Sequence, residues 1–174
     1  MASIPYSDLI TKWAFLTGID PAWLAGIIEA ESSFRADIKT WEPKVQQYSY
    51  GLGQLLLTTA QSLGYTGAGD GLLDPETNIM WTAQYIAQLS AANGGDLAKV
   101  YSAYNSGNPD AYLTSSQVGQ NVQRVMAAVE SFAGAFVDTA AAGMADAADL
   151  GSSPAVMGIA IIAAGLVTVW LLSK

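Results

Sequence analysis

Residues 20–34, with the sequence DPAWLAGIIEAESSF, carry the clearest helical pattern in the chain. An aspartate that can cap a helix is followed directly by a proline, which is favoured at the first helical position. Four residues then follow at the spacing i, i+3, i+4 and i+7, namely Leu24, Ile27, Ile28 and Glu31. Residues at this spacing lie on one side of a helix. The pattern therefore predicts a helix over residues 22–33 in which Glu31 is in line with the apolar face.

The position of Glu31 suits it to proton transfer. A carboxylate at the edge of an apolar face is partly desolvated, which raises its pKa. The last turn of a helix also disfavours negative charge, because the helix dipole is negative there. Both effects keep a carboxylic acid protonated near neutral pH, as a general acid requires. The spacing alone leaves a second interpretation open, in which Glu31 only caps the helix or pairs with Arg35, four residues further on.

The sequence around this segment favours further helices, and we predict an all-α domain over residues 1–132. Apolar residues recur at helical spacing, and most of the predicted helices begin at Ser or Asp residues, several of them ending near Gly. They cover about residues 7–17, 57–63 and 75–92, a helix that begins after Asp96, and a last helix from residue 115 or 116 to about 132. No alternating strand pattern competes with them, although residues 47–57 are apolar enough for a short hairpin.

Composition excludes several kinds of chemistry. The chain has no His and no Cys, so it cannot form Ser-His-Asp or Cys-His nucleophilic systems, a zinc site with His or Cys ligands, or a disulfide. Seven basic residues against 15 acidic ones give a formal net charge of -8, which argues against nucleic acid as a partner. We predict no metal and no cofactor. Carboxylates, hydroxyls, amides and tyrosines remain to carry the chemistry.

The C-terminal part of the chain has a different character. Residues 155–172 contain no charged residue, and a helix of that length spans about 27 Å, close to the thickness of a bilayer core. We predict a transmembrane helix at residues 154–174 that contacts the bilayer through residues 155–172, the alternative being a buried core helix. The Ala- and Gly-rich residues 133–153 are predicted to form a linker or a helical stalk. The N-terminus has neither the basic nor the apolar region of a signal peptide.

Aromatic and amide side chains in the predicted loops favour a carbohydrate-binding cleft. Aromatic faces stack on sugar rings, and tyrosine hydroxyls form hydrogen bonds with them. Gln54 and Asn105 can pair with amides such as an N-acetyl group. Core packing is the alternative explanation for most of the aromatic residues, which are Trp41, Tyr48, Tyr50, Tyr65, Tyr104 and Tyr112.

Four motifs, in order along residues 19–109, resemble those of soluble lytic transglycosylases and goose-type lysozymes. Glu31-Ser32-Ser33-Phe34 resembles the family's Glu-Ser motif, and Tyr50-Gly51-Leu52-Gly53-Gln54-Leu55 its Gly-Leu-Met-Gln motif. Residues 73–79 resemble the usual start of the next long helix, and Ala103-Tyr104-Asn105-Ser106-Gly107 the family's Ala-Tyr-Asn-x-Gly motif. One departure is that Gly53 stands where the family usually has Met, which leaves the substrate preference open.

The resemblance implies a lysozyme-like fold, all-α with a small β-hairpin near the cleft, and a catalytic mechanism. It implies cleavage of the MurNAc-GlcNAc bond of peptidoglycan with Glu31 first as acid and then as base, and 1,6-anhydro-muramic acid ends as the product. Such a mechanism needs no second carboxylate, and we find no good partner for Glu31 in the sequence. It also implies that Tyr104 could form a hydrogen bond with Glu31. The substrate-binding residues that it implies are Ser32, Tyr50, Gln54, Tyr104 and Asn105.

A wall-cutting domain with a membrane segment and no signal peptide favours delivery by a virus particle. The enzyme would reside in an internal membrane of the virion or be ejected from it, beside other virion proteins, and would open the wall for genome delivery. The alternative location is the bacterial envelope, where a wall-remodelling enzyme would serve a secretion or pilus system. Two other classes of function stay open: a glycan-binding module without activity, and a structural protein that acts on membranes through its tail.

Overall fold

The computed structural model describes residues 4–149, with residues 137–149 as backbone only. Six α-helices and two short 3-10 segments, Gly69–Leu73 and Ala111–Leu113, make up most of this part of the chain. The helices are α1 (Ser7–Thr17), α2 (Pro21–Ser32), α3 (Leu57–Ser62), α4 (Pro75–Ala92), α5 (Leu97–Ser106) and α6 (Ser116–Asp149). The prediction of a mostly helical domain is therefore confirmed. Asp20, Asp74 and Asp96 cap α2, α4 and α5 as the sequence predicts, whereas Ser7 is the first residue of α1 and does not cap it.

A small antiparallel sheet interrupts the helices between α2 and α3. Its strands are β1 (Lys39–Glu42), β2 (Gln47–Tyr50) and β3 (Leu55–Leu56), in the order β1-β2-β3. The sequence allowed for a hairpin over residues 47–57, whereas the longer strand pair uses β1, which lies before that stretch. Residues 39–41 are exposed in β1, so this strand lacks the apolar alternation that predicts a strand.

Helix α2 is buried along the face that the sequence predicts. Leu24, Ile27 and Ile28 are fully buried, and each such side chain contributes about 1.5–3 kcal/mol to stability relative to an exposed one. Gly26 lets α6 approach closely, because a Cβ atom there would lie 2.6 Å from a side-chain carbon of Val129. The core thus fixes the position of α2, and with it the position of Glu31 at the end of the apolar stripe.

The chain reverses sharply where α2 ends. Ser33 and Phe34 both have left-handed backbone angles, with φ of 52° and 59°. Residues other than glycine adopt this conformation at a cost, and it persists where the surrounding structure fixes it. The ring of Phe34 packs edge-on against Phe132, with centroids 5.9 Å apart. This contact holds the turn that follows Glu31.

The predicted C-terminal segments fall only partly within the described residues. The chain divides after Phe132 into two compact units. Residues 133–149 belong to α6 and are helical, whereas the transmembrane helix predicted at 154–174 lies outside the described residues. Within residues 4–149, no helix has the length and apolar character needed to cross a membrane. The domain boundaries and the membrane segment stay predictions.

Candidate active site

The carboxyl group of Glu31 lies in the last turn of α2 and is held by a tyrosine. The hydroxyl of Tyr101 donates a hydrogen bond to Oε1 of Glu31 over 2.8 Å. Tyr101 belongs to α5 and is almost fully buried, so its ring has little freedom to move. The hydrogen bond therefore fixes one oxygen of the carboxyl group.

Burial gives this carboxyl group the proton affinity of an acid–base catalyst. Desolvation raises the pKa of Glu31 from 4.5 to about 7, and the negative charge of Glu42 adds to the increase. The hydrogen bond from Tyr101 and the positive charge of Arg124 act in the opposite direction and lower the pKa. A group with a pKa near 7 is present in both protonation states at neutral pH, and it can both donate and accept a proton.

Arg124 of α6 forms a hydrogen bond with the backbone near the end of α2. Its guanidinium donates to the carbonyl oxygen of Ala30 over 3.2 Å, and its positive charge acts on Glu31. The sequence had suggested Arg35 as an ionic partner of Glu31. The Nε of Arg35 instead donates to the carbonyl oxygen of Ser32, and the ion pairs among residues 4–149 do not include one between Arg35 and Glu31.

Glu42, Ser49 and Gln54 form a polar cluster, and the charge of Glu42 acts on Glu31. The Oγ of Ser49 lies 3.0 Å from Oε1 of Glu42 and 2.9 Å from Oε1 of Gln54, and its single proton can serve one of them at a time. The amide nitrogen of Gln54 donates to the carbonyl oxygen of Gly51 over 2.8 Å. Gln54 is thus held within its own loop, and it shares the hydroxyl of Ser49 with Glu42.

Tyr104 forms its hydrogen bond with the loop of Gly53 and not with the carboxyl group of Glu31. Its hydroxyl donates to the carbonyl oxygen of Gly53, and burial raises its pKa well above the ordinary value. The hydrogen bond to Glu31, which the resemblance suggested for Tyr104, is formed by Tyr101. The two rings are stacked with centroids 6.2 Å apart, because residues three apart share one face of a helix.

Asn78 of α4 organises the loop that contains Gly51 and Gly53. Its amide nitrogen donates to the carbonyl oxygens of Tyr50 (2.8 Å) and Leu72 (2.7 Å), and its oxygen accepts from the backbone N–H of Gly53 over 2.7 Å. Asn78 is fully buried, so these bonds satisfy an amide that burial would otherwise leave unpaired. The sequence placed Asn78 in a helix-start motif without giving it this role.

Gly53 is explained by its neighbour on α4. A Cβ atom at this position would overlap the side chain of Thr82, which is itself fully buried. The space that a larger residue at position 53 needs is therefore filled by Thr82 in this chain. A larger residue at position 53 would therefore require the side chain of Thr82 to move.

The other predicted binding residues differ in their access to a ligand. Ser32 is buried, and its hydroxyl donates to the carbonyl oxygen of Ile28 over 3.1 Å. Tyr50 is also buried and packs with Ala60 and Leu72. Asn105 is exposed, and its side-chain oxygen accepts from Asn121 over 3.3 Å. Their role in binding substrate stays a prediction, and the structure assigns Ser32 and Tyr50 an evident packing role.

The structure gives no support for a metal at this site. Within residues 4–149, no three His, Cys, Asp or Glu residues come together in a way that could hold a metal ion. The charged groups that act on Glu31 in the described part of the chain are the side chains of Arg124 and Glu42. The site offers proton transfer by one carboxyl group whose proton affinity its neighbours tune.

Comparison with known proteins identifies the fold and the family. Residues 8–126 match the family model described as the Transglycosylase SLT domain. The structure is similar to an inactive mutant of lytic transglycosylase Slt from Pseudomonas aeruginosa, with a TM-score of 0.63 and 22% identity over 72% of this chain. It is also similar to the 70 kDa soluble lytic transglycosylase from Escherichia coli, with a TM-score of 0.64 and 22% identity over 73% of this chain. The chain spans about a quarter of the length of each of these proteins, 24% in both cases, and the likeness shows that the fold is lysozyme-like.

Proposed function

The chain belongs to the Transglycosylase SLT domain family, and we propose from this that it cleaves peptidoglycan as a lytic transglycosylase with Glu31 as its acid and base. The observation that carries the proposal is the state of the Glu31 carboxyl group. It is desolvated, its pKa is raised to about 7, and its orientation is fixed by the Tyr101 hydroxyl. These are the properties that general acid–base catalysis at neutral pH requires.

In the proposed first step, protonated Glu31 transfers its proton to the glycosidic oxygen between MurNAc and GlcNAc. The bond from this oxygen to C1 of MurNAc breaks, and the GlcNAc side leaves as an alcohol. The N-acetyl oxygen of the same MurNAc stabilises the positive charge that develops at C1. In the second step, the carboxylate of Glu31 accepts the proton of the MurNAc 6-hydroxyl, and O6 bonds to C1. The product is a 1,6-anhydro sugar, no water is consumed, and Glu31 is protonated again.

The polar groups around Glu31 divide between support and contact in this proposal. Gln54 and Tyr104 are bonded to the backbone of the loop at Gly51 and Gly53 and shape the wall of the cleft. Asn105 is the exposed one among the predicted binding residues, so its amide is accessible for hydrogen bonds with an N-acetyl group. Ser32 and Tyr50 act through packing, which keeps the end of α2 and the loop in position.

A specific observation also favours a second candidate reaction, which is hydrolysis of the same bond. The negative charge of Glu42 reaches Glu31, so a second carboxylate lies within electrostatic range of the first. Glycosidases that use water as the acceptor employ a second carboxylate to activate it. The hydrogen bond from Ser49 to Glu42 keeps that carboxylate oriented. Hydrolysis would yield a reducing end that is heavier by one water than the anhydro product.

Product analysis distinguishes the two reactions. The full chain, kept soluble in a mild detergent, is incubated with purified peptidoglycan, and the released fragments are measured by mass spectrometry before and after borohydride reduction. We expect anhydro fragments, which do not change on reduction, from the wild type and none from Glu31→Gln. Fragments with a reducing end would show that the reaction is hydrolysis and not transglycosylation. Absence of products from a correctly folded wild-type chain that binds peptidoglycan would refute catalysis and favour a glycan-binding role.

We further propose that residues 155–172 anchor the enzyme in a bilayer and that a virus particle delivers it to the cell wall. The uncharged run in the sequence supports the anchor, and the pairing of a wall-cutting domain with such a run supports the delivery. Membrane fractions extracted with carbonate should retain the full chain and release a variant that ends at residue 153. Detection of the chain in purified virions would support delivery, whereas its detection only in the bacterial envelope would favour a secretion or pilus system.

A further inference from the structure

The two faces of the β1–β2 hairpin carry different side chains. Lys39 pairs with Tyr50 and Trp41 pairs with Tyr48, and alternate residues of a strand point to the same side. We call the side formed by Lys39, Trp41, Tyr48 and Tyr50 the hairpin aromatic face. The opposite side carries Glu42 and Ser49: the hydroxyl of Ser49 contacts Gln54 and Glu42, and the charge of Glu42 acts on Glu31. The sequence placed Trp41 and Tyr48 in the cleft, whereas the sheet directs them away from it.

The hairpin aromatic face exposes two large rings to solvent. Trp41 is 47% exposed and Tyr48 is 43% exposed, and their ring centroids lie 5.0 Å apart at an angle of 64°. Tyr50 is buried at the other end of the face and fixes β2 against the core. In the order β1-β2-β3, β1 is the outer strand, so the Trp41 ring lies at the border of the sheet. A rigid, paired and exposed set of aromatic rings is a common feature of binding surfaces.

The charge on this face is balanced, which indicates the kind of ligand that it suits. The ammonium of Lys39 lies 4.7 Å from the ring centroid of Tyr48 and 5.0 Å from that of Tyr50. The same ammonium is 3.1 Å from a carboxylate oxygen of Asp70, which neutralises it. A neutral aromatic surface suits the C–H faces of uncharged sugar rings. An anionic bilayer surface attracts clusters of unpaired basic residues, and the net charge of -8 also opposes such a partner.

We propose that the hairpin aromatic face is a second glycan-binding surface, separate from the cleft at Glu31, on which N-acetylated sugar rings stack against Trp41 and Tyr48. This inference rests on the proposed function, because the identity of the polymer comes from it. Peptidoglycan presents many identical sugars, so one region of the polymer can occupy the surface while another occupies the cleft. Binding at a second site raises the effective concentration of the polymer at the first one. Short fragments that cannot reach both sites gain nothing from it.

The test measures binding to the polymer separately from cleavage. Full-length chains carrying Glu31→Gln are sedimented with insoluble peptidoglycan in mild detergent, and the dissociation constant is compared with and without Trp41→Ala and Tyr48→Ala. We expect binding to weaken about tenfold when both rings are removed, since aromatic contacts dominate surfaces of this kind. A matched control replaces Phe15 and Leu16, which are 56% and 59% exposed on α1, by Ala and should bind as before. A chain with Trp41→Phe in place of Trp41→Ala keeps an aromatic ring at this position and should bind nearly as tightly as the chain with Trp41. This result would show that the loss with Ala is due to the missing ring and not to a folding defect.

Turnover gives a second readout in chains that retain Glu31. Loss of both rings should slow the release of fragments from insoluble peptidoglycan. It should leave the rate of cleavage of a soluble MurNAc-GlcNAc tetrasaccharide unchanged. Unchanged polymer binding, or an equal loss in the control at α1, would overturn the proposal. A decrease in binding to phosphatidylethanolamine–phosphatidylglycerol vesicles, with peptidoglycan binding intact, would assign the face to the membrane instead. The proposed function is judged independently, by whether the wild type releases anhydro fragments at all.

Discussion

The Glu31→Gln substitution should change how the stability of the fold depends on pH. Desolvation raises the pKa of Glu31 in the folded state, whereas the unfolded chain leaves the carboxyl group in water near its ordinary value of 4.5. The folded protein therefore binds the proton more tightly than the unfolded one. The stability that comes from this difference is fully present below pH 4.5 and is lost as the pH rises through about 7.

The size of the effect follows from the same shift. A difference between 4.5 and about 7 corresponds to at most about 3 kcal/mol of unfolding free energy, because one pKa unit equals about 1.4 kcal/mol. Glutamine keeps the shape of the side chain and cannot ionise, so the variant lacks this pH dependence. The stability of the wild type relative to Glu31→Gln should fall by up to this amount between pH 4 and pH 8.

Urea denaturation followed by tryptophan fluorescence measures this difference at each pH. Comparing two variants under identical conditions cancels the titration of the groups that do not interact with Glu31. Glu29→Gln serves as the matched control, because it removes a carboxyl group from the exposed side of the same helix. A wild type that gains stability over Glu31→Gln as the pH rises would show that the charged form is favoured in the fold. That result would refute the assignment of Glu31 as a desolvated acid.

Three further substitutions should move the alkaline limb of the pH–rate profile, which reports ionisation of the proposed acid, Glu31. Tyr101→Phe removes the hydrogen bond that lowers the pKa of Glu31, so the alkaline limb should move to higher pH. The maximal rate should also fall by about tenfold to a hundredfold, which is the range for a lost hydrogen bond to a charged group. Arg124→Gln removes a positive charge and should also move the limb to higher pH. Arg35→Gln is the control: it removes an arginine that is bonded to a backbone carbonyl at the same helix end, and the limb should stay where it is. Glu42→Gln removes a negative charge and should move it to lower pH, with a small loss of rate if the reaction is transglycosylation. Each profile is measured as kcat/KM on soluble fragments, and a shift of the opposite sign in any variant contradicts the electrostatic account of the site.

The sequence was sufficient to predict that Glu31 lies on the buried face of α2, but not which groups contact it. The stripe of Leu24, Ile27 and Ile28 determines which side of α2 is buried, and Glu31 is part of that stripe by spacing alone. Tyr101 is 70 positions further along the chain, and nothing local distinguishes its hydroxyl from that of Tyr104. The packing of α5 against the rest of the domain decides which of the two reaches Glu31. The i, i+3 spacing of the two tyrosines was a signal that either could do so.

The polar groups around the loop escaped prediction for a similar reason. Asn78 has the sequence environment of a helix start, and two of its three backbone partners, those of Tyr50 and Gly53, are 28 and 25 positions away along the chain. Strand β1 also escaped, because its residues are mostly exposed and form no apolar alternation. Hydrogen bonds with β2, and not burial, define it. Local patterns predict what a segment buries, whereas long-range pairing decides which polar groups meet.

The opposing influences on Glu31 have a chemical reason under the proposed mechanism. One carboxyl group must donate a proton in the first step and accept one in the second. With a pKa of 4.5, only about one molecule in three hundred would hold the proton at pH 7, and the first step would cost about 3 kcal/mol more. Burial without Tyr101 and Arg124 would raise the pKa further and weaken the carboxylate's tendency to release the proton. Tyr101 and Arg124 therefore limit the effect of burial, so that the acid and the base forms of one residue are both accessible at the same pH.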